Sequence, residues 1–210
     1  KDLNEGLDAV SAGDPAKAEQ LLQPIVDGAS KSKYAQALAL QGLASIKYNA
    51  GDTKGAIGLL QRSLALGVMP NDTYFQLQYM LAQFQMADEQ YQAALDTVTK
   101  WRAEGKKETA NSYALEGNAD YRLGKYPEAI AAINKAKSLT DKPEASWNQI
   151  LMASYSESGQ DEKAAALAQQ QLNSSPDDPN ALNNAAAVLM QAHKYPEAIQ
   201  LLEKGRASGA

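Results

Sequence analysis

The chain contains no cysteine, which excludes disulfides, thiolate metal sites and cysteine nucleophiles together. The absence is neutral about compartment, since a cysteine-free chain suits oxidising and reducing surroundings alike. Histidine is almost absent as well. The single imidazole, His193, has no second histidine or paired acid beside it with which to form a zinc site or a catalytic triad, and it reads as a turn residue. None of the strings GxGxxG, GxxxxGK[ST], HExxH or GxSxG occurs. These absences point away from an enzyme, and no catalytic residue, cofactor or metal is expected.

Clustered positive charge is lacking too. Lysine and arginine number 20 against 25 acids, for a formal net charge of −5. The one notable basic doublet, Lys106-Lys107, runs straight into Glu108. Binding phosphates requires concentrated Lys and Arg to release counterions, so nucleic acid is not an expected partner. No apolar run approaches the roughly 20 residues that span a bilayer, so direct membrane insertion is not expected. No basic start followed by an apolar stretch marks a signal peptide, and the chain begins at Lys1 rather than Met, which suggests a processed or trimmed segment of a longer protein. Aromatic residues make up 7% of the chain and β-branched runs are scarce, whereas Ala and Gln are abundant, a balance that favours helix over strand.

What the chain does have is a repeat. The pentapeptide KYPEA occurs at 125–129 and again at 194–198, each time followed by isoleucine and apolar residues at helical spacing. Its proline suits the first turn of a helix, where the missing N–H has no intrahelical partner, and its glutamate faces the positive end of the helix dipole. With the alanine of KYPEA as a marker, six equivalent positions appear: Ala18, Ala56, Ala94, Ala129, Ala164 and Ala198, separated by 38, 38, 35, 35 and 34 residues. Upstream of each lies a second helical segment that ends in a turn. Gly13, Gly51, Gly124 and Gly159 occupy equivalent places there, where glycine can adopt the left-handed conformation that closes a helix, and His193 holds the same place in the last unit. The extra residues of the first two spacings fall in DGASKSK (27–33) and GVMPND (67–72), which read as lengthened connections in which Pro70 stops one helix and Asn71-Asp72 cap the next.

A two-helix unit of this length resembles the tetratricopeptide repeat. The fourth unit matches at Tyr113, Gly117, Gly124, Tyr126, Ala129, Ile133 and Ala136, and the fifth at Trp147, Leu151, Tyr155, Gly159, Ala164 and Pro176. It departs where Glu116 and Asp120 replace the usual Leu and Tyr, and where Trp101 fills a place usually held by a small residue. The resemblance implies an all-α fold, a right-handed superhelical solenoid of about six helix-turn-helix repeats. Their bounds would be approximately 1–30, 31–69, 70–106, 107–142, 143–177 and 178–208 of one 1–210 array.

The resemblance also implies a function, the binding of a partner protein or peptide in the groove lined by the first helix of each repeat. Carried over position by position, that lining comprises Gln41, Ser45, Tyr48, Tyr79, Gln83 and Met86. It continues with Asn118, Tyr121, Arg122, Gln149, Asn183, Asn184 and Met190. Asn and Gln can bond a peptide backbone while Tyr and Met accept apolar side chains, and the same Tyr and Met residues could equally serve as core between repeats. A carboxylate clamp would need Lys and Arg where mostly amides and small residues stand. Two other readings remain open: the binding domain of a larger enzyme, or a self-assembling module that forms a homo-oligomer through its terminal repeats. The second follows from Ile199, Leu201 and Leu202, which nothing after the last helix is available to cover. Residues 67–95, and those from Ser138 to the end, are further similar to periplasmic repeat proteins found beside TonB, ExbB and ExbD in proteobacteria. That likeness implies a periplasmic, TonB-associated transport role, with a cytoplasmic location as the alternative.

Overall fold

A computed structural model describes residues 1–209. Among them are twelve α-helices and no strand: α1 (Asp2–Ser11), α2 (Pro15–Pro24), α3 (Lys33–Asn49), α4 (Thr53–Ala65), α5 (Asn71–Ala87), α6 (Tyr91–Gly105), α7 (Ala110–Arg122), α8 (Tyr126–Ser138), α9 (Ala145–Glu157), α10 (Asp161–Ser174), α11 (Pro179–Gln191) and α12 (Tyr195–Ala207). They pair as six antiparallel hairpins, and the contacts group them into two compact units, Lys1–Glu108 and Thr109 onward. In the N-terminal unit α3 packs on α1, α2 and α4, while α5 packs on α4 and α6. In the C-terminal unit α9 packs on α7, α8 and α10, while α11 packs on α10 and α12.

Each hairpin is made by the same local chemistry. The residue that closes its first helix is left-handed in all six: Gly13, Gly51, Glu89, Gly124, Gly159 and His193, with φ between 60° and 86°. The next residue's N–H then reaches back to a carbonyl five residues earlier at 2.7–2.9 Å, satisfying an orphan acceptor at the helix end. Glu89 has no special sequence signal for this conformation, and the turn imposes it. Forcing a side chain into the left-handed region costs roughly 1–2 kcal/mol, partly offset by the entropy a glycine would lose on folding. Glu89→Gly is therefore expected to raise stability by about 0.5–1 kcal/mol, read as a higher urea midpoint at unchanged slope. His193→Gly should gain less, because the His193 Nδ1 lies 3.0 Å from the Tyr195 hydroxyl and that contact would be lost.

All six marker alanines are completely buried, at 0% exposure. Around them lie the cores. Leu22, Ile25 and Leu43 join the first two hairpins; Leu60, Leu77, Leu81 and Phe84 join the second and third; Ile133, Trp147, Leu151, Leu172 and Leu182 run through the C-terminal unit.

Three local expectations need correction. The α5 start has Pro70 as its flanking residue and no side-chain cap, since Asn71 and Asp72 already lie inside the helix. In DGASKSK the helix does not simply end: after Pro24 the chain makes a wide π-type turn over Ile25–Ala29 that breaks at Gly28 (φ 111°), and α3 is then capped by Ser32, whose hydroxyl accepts from the Ala35 N–H at 3.1 Å. Leu201 is not uncovered, because it turns inward against the core of the C-terminal unit, whereas Ile199 and Leu202 are exposed.

Candidate functional site

The expected lining residues divide between the two units. In the N-terminal unit, Gln41, Ser45 and Tyr48 follow one another along α3 at helical spacing, as do Tyr79, Gln83 and Met86 along α5. Gln41 and Ser45 are half-buried, and the Ser45 hydroxyl donates to the Gln41 carbonyl at 3.3 Å. Tyr48 stays 42% exposed while its ring stacks on Phe84, with centroids 4.2 Å apart and planes within 5°. The buried Phe84 of the core thus backs Tyr48 from beneath. Gln83 is exposed and Met86 half-buried.

Tyr79 belongs to a different place. Its ring lies 5.0 Å from that of Trp101, and together with Asp72, Phe75, Gln76 and Lys107 they line a pocket of about 390 Å³. The Trp101 indole N–H donates to the Phe75 carbonyl at 2.9 Å, which fixes the wall of this pocket. Nearby, the Tyr74 hydroxyl donates to Glu104 at 2.9 Å. Burial, and then that carboxylate, raise the Tyr74 pKa, so the phenol keeps its proton and its role as donor.

In the C-terminal unit Asn118 and Tyr121 are half-buried, and the Tyr121 ring is 5.8 Å from that of Tyr126; Arg122 is exposed. Met190 is 44% exposed, so it is not the packing residue its type suggests, whereas Met152 is buried. Asn183 is exposed on α11. Two of the expected residues, Gln149 and Asn184, converge on one pocket of about 630 Å³ between α9, α10 and α11. Asn148, Gln170, Gln171 and Asn180 join them, so six amide side chains share one concavity with the charged Lys137, Glu144 and Asp178. Asp178 caps α11 by accepting from the Asn180 N–H at 2.9 Å, and this fixes the first turn, which carries Asn180, with Asn184 one turn further along. The Lys137 ammonium donates to Asn148 at 2.8 Å from the α8 side and orients that amide. Each primary amide offers two donors and an acceptor with two lone pairs, so these six side chains can match both the N–H and the C=O groups of a peptide backbone.

A second pocket of about 490 Å³ lies between α10 and α12, lined by Glu162, Lys194, Glu197 and Lys204 among others. Glu162 and Lys194 form an ion pair at 2.8 Å there, and that carboxylate raises the Lys194 pKa. Among the described residues no group of three or more His, Cys, Asp or Glu could hold a metal ion, and no helix is long and apolar enough to cross a membrane.

Repeated antiparallel hairpins, closed by left-handed turns and packed through a completely buried alanine, define a helical-repeat protein. The chain belongs to the tetratricopeptide repeat-like domain family, whose model matches residues 2–153. Solved structures with the same fold include a tetratricopeptide repeat protein from Parabacteroides merdae ATCC 43184, at TM-score 0.72 and 16% identity over 97% of this chain and 77% of that one. MamA from Desulfovibrio magneticus RS-1 gives a TM-score of 0.64 at 21% identity, covering 83% and 94% of the two chains. YrrB, described as a TPR protein with an unusual peptide-binding site, gives 0.63 at 15% identity over 88% and 90%. No curated protein matches the sequence significantly.

Proposed function

We propose that this protein is a non-catalytic interaction module that holds an extended peptide segment of a partner protein against the amide-lined pocket of its C-terminal unit. The observation that carries the reading is the convergence of six Asn and Gln side chains, from two first helices and the second helix between them, on one open concavity. A peptide backbone laid there exchanges its water contacts for amide contacts, and the absence of any Lys or Arg cluster removes a requirement for an acidic terminus. The solved peptide-binding relative supports the general mode. A periplasmic location and a TonB-linked role extend this reading on the strength of the sequence resemblance alone; detection of the protein in a cytosolic rather than a periplasmic fraction would remove them.

The test is to pan a random peptide library on the full chain and to measure the selected peptides against Gln149→Ala, Asn180→Ala, Asn184→Ala combined. All three side chains are exposed, so melting should be unchanged. Loss of about three hydrogen bonds, each near 1 kcal/mol, should weaken binding about a hundredfold. Peptides that bind the triple variant as well as the parent, or a library that yields none, would refute the pocket.

A further inference from the structure

A buried side-chain oxygen on α5 has no hydrogen-bond partner in the protein: Gln78 is 3% exposed and its Oε1 meets no donor. An acceptor taken out of water and left unpaired costs stability. The fold does not require one there. Gln78 precedes the marker Ala94 by 16 residues, and the residues 16 before Ala56 and Ala198 are Leu40 and Leu182, both buried. The amide borders a pocket of about 260 Å³ between α4, α5 and α6, where Leu64, Ala65, Tyr74, Leu81, Thr97 and Lys100 also form walls.

The repeat shows what an amide at this position takes. Asn148 precedes Ala164 by the same 16 residues, and its Oδ1 accepts from the Lys137 ammonium at 2.8 Å. Lys137 follows Ala129 by eight residues; the residue eight after Ala56 is Leu64, which has nothing to donate. The acid is replaced together with the base. Glu144, 20 residues before Ala164, lines the pocket at Asn148, and the equivalent residue before Ala94 is the uncharged Tyr74. Tyr74 already donates its proton to Glu104 at 2.9 Å. Thr97 directs its proton to Gln85 Oε1 at 2.7 Å and the Ala93 carbonyl at 2.8 Å, so towards anything entering the pocket its oxygen can only accept. A cation would find no counter-charge in the lining, whose single charged group is the Lys100 ammonium.

The geometry points to a binding site for a tryptophan of a partner polypeptide, whose indole rests against Leu64 and Leu81 and donates its N–H to Gln78 Oε1. Indole is the uncharged side chain that donates without accepting, so it brings no second polar group to be satisfied between apolar walls. The chain's own tryptophans cannot supply it: Trp101 donates to the Phe75 carbonyl, and Trp147 is buried in the core of the C-terminal unit. This site lies in the other unit from the amide-lined pocket, and neither needs the other.

The test is to titrate indole, and N-methylindole, which lacks the N–H, into the isotope-labelled full chain, with the backbone amide resonances of α5 and α6 as reporters. Indole should bind about tenfold more tightly than N-methylindole, and N-acetyltryptophanamide no more weakly than indole. Gln78→Met keeps the length of the side chain and removes its oxygen. It should abolish the preference for indole and move the urea midpoint upward, because an unpaired acceptor has gone. Equal binding of the two indoles by the parent chain, or binding of neither at millimolar concentration, would overturn the inference and leave the amide to water. A lower urea midpoint for Gln78→Met would overturn it too, by showing that the amide is satisfied within the fold. Binding of indole but not of N-acetyltryptophanamide would overturn a polypeptide as its source.

Discussion

Trp101→Ala is expected to remove about 3–5 kcal/mol of stability from the N-terminal unit, a large share of what a domain of this size holds. Three interactions are lost together. The indole is 9% exposed, so its removal opens a cavity between α5 and α6 that the helices cannot collapse to fill. Its N–H bond to the Phe75 carbonyl links residues 26 apart in sequence. The ring also supports Tyr79, whose own ring leans on it at an interplanar angle of 53°. Trp101→Phe separates these contributions: it keeps most of the buried surface and loses the hydrogen bond, so about 1–2 kcal/mol should go. The chain has two tryptophans, one in each unit, so in Trp101→Ala the remaining fluorescence reports Trp147 and the C-terminal unit only. Loss of helix in the N-terminal unit is then read by far-UV circular dichroism in urea. A shift worth less than 1 kcal/mol would mean that the indole is not the central support of this pocket.

Much of the fold was legible because its rules are local. An alanine at a fixed offset from a turn identifies all six hairpins, and in each it is completely buried. Four glycines and the histidine mark five of the six turns. Glu89 escapes because its left-handed backbone is held by the turn's own hydrogen bond, from Gln90 N–H to the Gln85 carbonyl at 2.8 Å, and not by a residue type that prefers it. The π-type turn after Pro24 was equally hidden, since DGASKSK has the composition of any polar connection.

The surface was less legible, and for a different reason. Periodicity assigns a residue to a face of its own helix but does not say which other helix looks onto that face. Gln149 and Asn184 follow from the repeat because both lie on first helices. Gln170 and Gln171 lie on α10, a second helix, and enter the same pocket only because its C-terminal half passes between α9 and α11. The run AQQQLN, polar on a helix that otherwise reads as core, was the available signal. Tyr79 illustrates the opposite case: its register matches the lining, yet Trp101 draws it into an aromatic pocket with Phe75. An unusually large residue at a normally small position redirects its neighbours, and sequence spacing carries no information about that.

The same close-packing logic predicts a coupled pair in the C-terminal unit. Ile133 is fully buried in the core that also holds Trp147, and Ile133→Ala should cost about 2–5 kcal/mol. Gly117 on α7 exists to admit that isoleucine: a methyl placed on it would lie 2.7 Å from Ile133 Cδ1, 2.8 Å from Cγ1 and 3.3 Å from the Ala129 carbonyl oxygen. Gly117→Ala alone therefore gains about 1 kcal/mol of helix propensity and loses somewhat more to overpacking, for a small net destabilisation. In the Ile133→Ala background the two nearest atoms are gone, so the added methyl meets empty space and fills part of it. The double variant is then expected to be more stable than Ile133→Ala itself by about 1 kcal/mol, with the two changes strongly non-additive. Urea titrations followed by Trp147 in a Trp101→Phe background read this unit directly. If Gly117→Ala destabilises equally with and without the isoleucine, the glycine is retained for a reason other than making room for that side chain.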